Sequence, residues 1–377
     1  MSKIVVSDKV RSDIPTNILI EREILREKLE ALKLSSPPIL VRYMNFLYIN
    51  ETARSVNINT ALKYTREIIK ILEWLIKERI IIRSDIQSIN KNDLNNIEAN
   101  DIQQYLDSCG SYTEMNSKGE KVLFSNSLRT IFFKGSCIRG FFTWLYKNNY
   151  IERNETEKLR KVITPDLPPV IALTDEEVKA MLELVEHGKT TIYDNVVELS
   201  RKEKENHSKT KNRDLAIISM FVYHGLRIHE LYHLNTSSLY FDKDYFEIYR
   251  KRNKKRNMYF TKHTKRALQD YIETERSAET IVLEDSDALF ISTREKRRLS
   301  IRQIRRIVKK YAVKVSGNPK LSPHKLRATF ATKAIEITGN IYKVQKNLDH
   351  SSPNTTQRYL KEDEKFKKEI AAAINYD

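Results

Sequence analysis

The sequence predicts a mainly α-helical protein with a small β-sheet, divided into two domains. Three observations carry that reading. The chain has 377 residues, enough for about two domains of ordinary size. Its first half holds long runs of apolar residues at helical spacing. Near the middle a proline-rich break occurs, and strand-like runs are found only after it.

In chain order, a helical tail is expected at 19–32, then helices at 39–49, 59–79, 99–106 and 127–150. In the 59–79 segment Leu62, Ile68, Ile69, Leu72, Leu75 and Ile76 recur on one face, with Lys63, Arg66, Lys70 and Lys77 between them. In 127–150, Leu128, Ile131, Phe132, Ile138, Phe141, Phe142 and Leu145 do the same. The polar stretch 111–121 reads as a mobile connection. Segment 164–169, Thr-Pro-Asp-Leu-Pro-Pro, cannot continue a helix, because proline lacks an amide donor and restricts the residue before it. It is the expected domain linker. Thr174 and Glu177 then form the spacing of a capping box for a helix at 175–186. A helix at 213–224, strands within 239–249 and 257–261, a short strand at 288–291 and further helices complete the second domain. The boundaries are a helical extension at 1–33, a helical domain at 34–160, a linker at 161–172 and a mixed, mainly helical domain at 173–377.

Composition restricts the partner. Lys and Arg number 67 against 50 Asp and Glu, a formal charge of +17. Such an excess favours an anionic polymer over a neutral small molecule, without choosing among DNA, RNA and an anionic membrane. Cys109 and Cys137 lack CxxC spacing, which argues against a zinc module and a disulfide framework and suits a reducing compartment. The N-terminal residues lack the apolar stretch of a signal peptide, and no apolar run reaches the length of about 18 residues that a membrane span needs. A soluble, cytoplasmic protein without membrane association is expected.

Four pieces of the second domain carry chemistry: Gly225-Leu226-Arg227-Ile228-His229-Glu230-Leu231, the basic run 250–256, Pro323-His324-Lys325-Leu326-Arg327, and the stretch 348–359 ending in Tyr359. Each alone is ordinary, whether as a solvated helix end, an exposed basic turn or a structural histidine. As a set they supply what transfer of a phosphodiester to a tyrosine requires. The transition state adds negative charge to the phosphate, so Arg227 and Arg327 can clamp its non-bridging oxygens with their forked donors. Tyr359 can attack, a lysine of the basic turn can protonate the leaving sugar oxygen, and His324 and His350 can bind the phosphate and manage the phenolic proton. No GxxxxGK[ST] loop and no clustered carboxylates for two metals occur, so neither a nucleotide nor a metal cofactor is expected.

These residues resemble those that mark the tyrosine recombinases, or phage-type integrases, in which Arg, Lys, His-x-x-Arg, His or Trp, and Tyr follow in that order. They stand here as Arg227, Lys251, His324 with Arg327, His350 and Tyr359. HKLRATFAT and LDHSSPNTTQRY are similar to the family's two C-terminal boxes. The resemblance implies that Lys251 is the general acid, with Lys254 the alternative, and that Glu230 supports the first arginine. It further implies a helical, SAM-like core-binding domain ahead of a mixed α/β catalytic domain, and site-specific cleavage and rejoining of DNA through a 3′-phosphotyrosine. The expected partners are double-stranded DNA carrying an inverted-repeat site and three further copies of the chain, as a tetramer on two sites. The task is dimer resolution or the integration and excision of a mobile element, most like single-protein Xer-type enzymes. A type IB topoisomerase and a non-catalytic DNA-binding relative are the alternatives. The chain departs from the family pattern at Ala328, where His is common, at Asp349, where Gly is usual, and at Arg250 and Arg252, where glycines are common.

Segment 300–315 reads as a helix capped by Ser300, with Arg302, Arg305, Arg306, Lys309 and Lys310 on one face and Ile301, Ile304, Val308, Tyr311 and Val315 on the other. Laid against DNA, that basic face contacts phosphates, with Arg302 or Arg305 reaching base edges. Lys63, Arg66, Lys70 and Arg129 are the candidates for the other half of a clamp. Phe366, Ile370 and Ile374 recur in 361–377, which predicts a short amphipathic helix that the resemblance assigns to exchange between protomers.

Overall fold

The computed structural model describes residues 14–48, 57–116, 119–161, 163, 170–250, 254–277 and 280–349. The chain divides into two compact units, Met1–Leu167 and Pro168–Asp377. The expected linker at 164–169 and the expected tail helix at 361–377 lie outside the described residues.

In the first unit, α1 (Thr16–Leu34) and α2 (Pro38–Leu47) are followed by α3 (Ile58–Lys77), whose cap Asn57 accepts the Asn59 amide. A short α4 (Lys91–Asn95), α5 (Ala99–Ser108) and α6 (Leu128–Lys147) complete its helices among the described residues. The helical periodicity reappears as one core. Leu62, Ile68, Leu72 and Leu75 of α3 meet Ile138, Phe141, Phe142 and Leu145 of α6, with Met44 of α2 and Ile102 of α5. Leu29 of α1 is buried among them. Across this core the Lys134 ammonium lies 2.6 Å from the Glu67 carboxylate. Burial pushes that carboxyl up, but Lys134 and Lys70 outweigh burial and hold it below its usual range.

Between α5 and α6 the structure corrects the sequence. The stretch read as a mobile connection is an antiparallel hairpin of β1 (Ser111–Met115) and β2 (Lys121–Ser125), with Ser111 opposite Ser125. Tyr112 and Phe124 stack across it at 5.6 Å. The polar tip had masked the aromatic and β-branched residues on either side, which favour paired strands.

The second unit opens with α7 (Asp175–His187), and the expected capping box is formed: the Glu177 amide donates to Thr174 at 3.1 Å and the Thr174 amide to Glu177 at 2.8 Å. A hairpin of β3 (Lys189–Ile192) and β4 (Asn195–Glu198), then α8 (Arg201–His207), were not anticipated. The β3–β4 turn places Tyr193 and Asp194 at φ of 48° and 61°, so a primed turn forms without the glycine that would have signalled it. Next, α9 (Lys211–His224) runs through the core, burying Ile217, Ile218, Met220 and Phe221. It is followed by α10 (Ile228–Tyr232) and a three-stranded antiparallel sheet of β5 (Leu239–Tyr240), β6 (Tyr245–Tyr249) and β7 (Lys255–Tyr259), in that order. The β-rich stretch expected at 239–249 thus holds two strands, β5 and β6, separated by a turn. Residues 288–291 make only isolated bridges, Asn235 with Ala288 and Ile291 with Arg298. Their backbone is satisfied by a mixture of partners: the Leu289 amide donates to the Leu234 carbonyl and the Leu299 amide to the Phe290 carbonyl, while Arg276 donates to the Ala288 carbonyl and the Tyr271 hydroxyl accepts the Ile291 amide. The remaining described helices are α11 (Lys262–Asp270), α12 (Ile301–Ser316), α13 (Pro323–Thr338) and α14 (Ile341–Leu348). Among the described residues no helix is long and apolar enough to cross a membrane.

Candidate active site

The end of α9 sets the site. Gly225 caps the helix at φ 59°, and a Cβ there would lie 2.4 Å from the Phe330 ring of α13. Only glycine allows both the left-handed turn and this approach. The turn delivers Arg227 to the start of α10, where its amide donates to Glu230 Oε2 at 2.8 Å and its guanidinium to Oε1 at 2.8 Å. Glu230 is buried, so the acidic residue expected beside the first arginine does lie against it.

Arg327 reaches the same place from the first turns of α13. It is buried, donates to the Gly225 carbonyl at 2.6 Å, and lies 3.7 Å from Glu230 Oε2. Its other terminal nitrogen donates to the Leu348 carbonyl. Arg227 donates to that carbonyl as well, at 3.2 Å, and to the Asp349 carbonyl at 2.9 Å. Two guanidiniums from different helices thus converge on the C-terminus of α14, whose last carbonyls lack helical partners and carry the negative end of the helix dipole. Asp349 ends α14 at φ 53°, a left-handed position that Asp tolerates better than most residues. That accounts for an aspartate where the resemblance expects glycine.

A third guanidinium was not foreseen. Arg250, at the end of the β6–β7 hairpin arm, is buried, lies 3.6 Å from Glu230 Oε1, and donates to the Asn347 carbonyl at 2.6 Å. Its signal in the sequence was an arginine where glycine is usual. Burial pushes its pKa down while Glu230 pulls it back up; a guanidinium stays charged throughout. Three guanidiniums therefore face the Glu230 carboxylate, so positive charge is in excess there even with the Asp349 carboxylate acting on Arg250. A phosphate oxygen, being charged, is a better acceptor for such donors than a main-chain carbonyl.

His324 is exposed on α13, three residues before Arg327 and so on the same helix face. Lys254 is exposed, and its carbonyl accepts the Arg250 amide at 2.9 Å. Lys251, His350 and Tyr359 lie outside the described residues. On α12, Arg302, Arg305, Arg306 and Lys309 are exposed, opposite a buried stripe of Ile304, Ile307, Val308, Tyr311 and Val315. Lys310 leaves the expected basic face, because its ammonium sits 3.1 Å from the buried Asp214. In the first unit Lys63 and Arg66 are exposed on α3 and Arg129 on the first turn of α6, whereas Lys70 pairs with Glu67 at 3.0 Å.

Comparison with known proteins fits this geometry. The profile of the phage integrase family matches residues 172–365. The tyrosine recombinase XerC of Caldanaerobacter subterraneus subsp. tengcongensis is 30% identical over 358 residues, covering 92% of this chain and 88% of its own length. The tyrosine recombinase XerS of Streptococcus thermophilus is 24% identical over 356 residues, covering 90% and 96%. Among solved structures, XerH site-specific recombinase bound to its difH substrate in a pre-cleavage complex has a similar fold, with a TM-score of 0.57 at 22% identity, covering 93% of this chain and 94% of that one.

Proposed function

The chain belongs to the phage integrase family, as a site-specific tyrosine recombinase, and from that premise we propose how its residues divide the reaction. Arg227 and Arg327 hold the non-bridging oxygens of the scissile phosphate. The Tyr359 phenol attacks phosphorus, the P–O5′ bond breaks, and a 3′-phosphotyrosine forms. The phenolic proton passes to His324 or His350, and the leaving O5′ takes a proton from Lys251, or from Lys254 in its place. Attack by the 5′-hydroxyl of a partner strand reverses these steps and frees the tyrosine, so bond energy is conserved without a nucleotide or metal.

The observation that carries this reading is the meeting of Arg227 and Arg327 on one carboxylate, Glu230, and on one carbonyl, that of Leu348. Two forks so held suit two oxygens of one phosphate. The partner is duplex DNA with an inverted repeat. Residues 34–160 form the core-binding domain, with Lys63, Arg66 and Arg129 on phosphates; 161–172 is the linker, and 1–33 is an extension. Residues 173–377 form the catalytic domain, with Lys254, Arg302, Arg305 and Arg306 on DNA. Four protomers act on two sites, and residues 361–377 dock into a neighbour. The biological outcome is dimer resolution or movement of an element.

The test begins with a site selected by the protein from random duplex DNA, then nicked so that cleavage traps the adduct. The wild type should form a covalent adduct, and Tyr359→Phe should form none while binding the site nearly as tightly. An adduct on Tyr359→Phe would move the nucleophile elsewhere. Resolution of a plasmid carrying two sites is expected; relaxation alone would mark a type IB topoisomerase.

A further inference from the structure

We infer that Arg250 is a positioning residue, which takes over Glu230 when Arg227 turns to the scissile phosphate. The inference rests on the clamp role proposed for Arg227. In the structure the Arg227 guanidinium has two duties at once. One terminal nitrogen serves Glu230 Oε1 at 2.8 Å, and the other serves the carbonyls of Leu348 and Asp349. A phosphate that takes both nitrogens strips Glu230 Oε1 of its side-chain partner. Glu230 is buried, with a side chain 3% exposed, so water does not replace what is lost; Oε2 keeps the Arg227 amide, but a buried carboxylate oxygen stripped of its close charged donor is disfavoured.

Arg250 is placed to prevent that. Its side chain is 4% exposed, so it is a poor candidate for touching DNA itself. Its Nε is buried without a hydrogen-bond partner and lies 3.6 Å from Glu230 Oε1, the oxygen that Arg227 now occupies. A shift of roughly 1 Å brings that pair to the length of a charge-assisted hydrogen bond. Meanwhile its Nη1 holds the Asn347 carbonyl at 2.6 Å, which keeps the end of α14 anchored as the neighbouring carbonyls release Arg227. The backbone of Arg250 is itself fixed, its amide donating to Lys254 at 2.9 Å. An orphaned donor on a buried cation is costly in a resting protein. Here it is accounted for as a hydrogen bond formed only once DNA is engaged, the kind of interaction that accelerates a reaction instead of tightening binding.

The experiment is a double-mutant cycle on the full chain, with single-turnover adduct formation on the nicked site read alongside equilibrium DNA affinity. Arg250→Met should slow adduct formation by about 100-fold and change affinity by less than about 3-fold. In a Glu230→Gln background, where no carboxylate is left to strand, adding Arg250→Met should cost less than about 3-fold more. Arg250→Lys, which keeps the cation, should stay within about 10-fold of wild type, and it covers the case in which the Met variant does not fold. Multiplicative defects in the double mutant, a Lys variant as slow as Met while folded, a normal rate in Arg250→Met, or affinity falling in step with rate would each overturn the inference. If wild type forms no adduct, or Arg227→Ala cleaves normally, the clamp reading fails first and this inference goes with it. Normal cleavage by Arg250→Met alongside a crippled Arg227→Ala rejects the inference alone.

Discussion

Two buried carboxylates of the second unit, Asp214 and Glu230, look alike in the sequence and are held in opposite ways. Asp214 is saturated. Arg213 donates to Oδ1 twice, at 2.9 and 3.2 Å, while Lys310 and the Tyr311 hydroxyl lie 3.1 and 3.0 Å from Oδ2. Nearby Glu275 accepts the Asn212 and Arg213 amides at 2.7 and 3.0 Å, so two carboxylates stand beside the two cations Arg213 and Lys310. Glu230 instead faces three guanidiniums, two of them at 3.6 and 3.7 Å, while main-chain carbonyls occupy donors that suit an anion. Balanced charge with every carboxylate oxygen bonded marks a group that holds helices together. Surplus positive charge with exchangeable acceptors marks a site that waits for a ligand.

That contrast can be broken by exchanging the expected losses. Asp214→Ala leaves Arg213 and Lys310 uncompensated in the core and should cost about 3–5 kcal/mol of stability in urea unfolding, with adduct formation per folded molecule unchanged. Arg327→Ala should do the reverse, removing about 3–4 kcal/mol of transition-state stabilisation while site affinity moves little. A stability loss from Arg327→Ala as large as that from Asp214→Ala would erase the distinction.

A second measurement sharpens it by separating the site from its supports. His224 lies one residue before Gly225, its Nε2 3.0 Å from the Thr264 hydroxyl, and burial pushes its pKa down to about 4. Because the folded value lies below the unfolded one, the unfolded chain binds the proton first as pH falls. Stability is therefore present above the ordinary value of 6.5 and is lost as pH drops toward 4, by up to about 3 kcal/mol. His224→Gln should flatten the urea midpoint over that window. An unchanged slope would assign the acid sensitivity to other groups. The smallest effect is expected on α12, outside both clusters. Arg302→Ala and Arg305→Ala should each weaken DNA binding modestly and lower the logarithmic salt slope by about 1, without changing the cleavage step at saturation.

The long helices were legible because their apolar stripes point into the core, throughout α3 and from Ile138 onward in α6, whereas Leu128 and Phe132 of the expected α6 stripe are exposed. The arginines were legible because their residue types recur in a fixed order, although nothing in the order foretold that both would rest on the carbonyls of α14. What stayed hidden was set by tertiary contact. The β3–β4 turn uses Tyr193 and Asp194 in left-handed conformations in place of glycine. Lys310 reads as one of five basic residues on a helix face, yet it turns to Asp214 on α9. Arg250 reads as one more cation in a basic run, and only the approach of Glu230 and Asn347 distinguishes it.

The span of chain that the guanidinium cluster draws together has a consequence for biosynthesis. Its contacts join Gly225, Arg227 and Glu230 to Arg250, Arg327 and the carbonyls at 347–349. Contacts so far apart in sequence close late in folding, and during synthesis the domain settles as a unit. A ribosome-bound chain that has not yet released residues 347–349 lacks the carbonyls on which Arg227, Arg250 and Arg327 rest, whatever fraction of the helices has formed. Under the clamp role proposed for Arg227 and Arg327, strand cutting is withheld from unfinished molecules, and a chain truncated before residue 347 never gains the carbonyls on which those arginines rest.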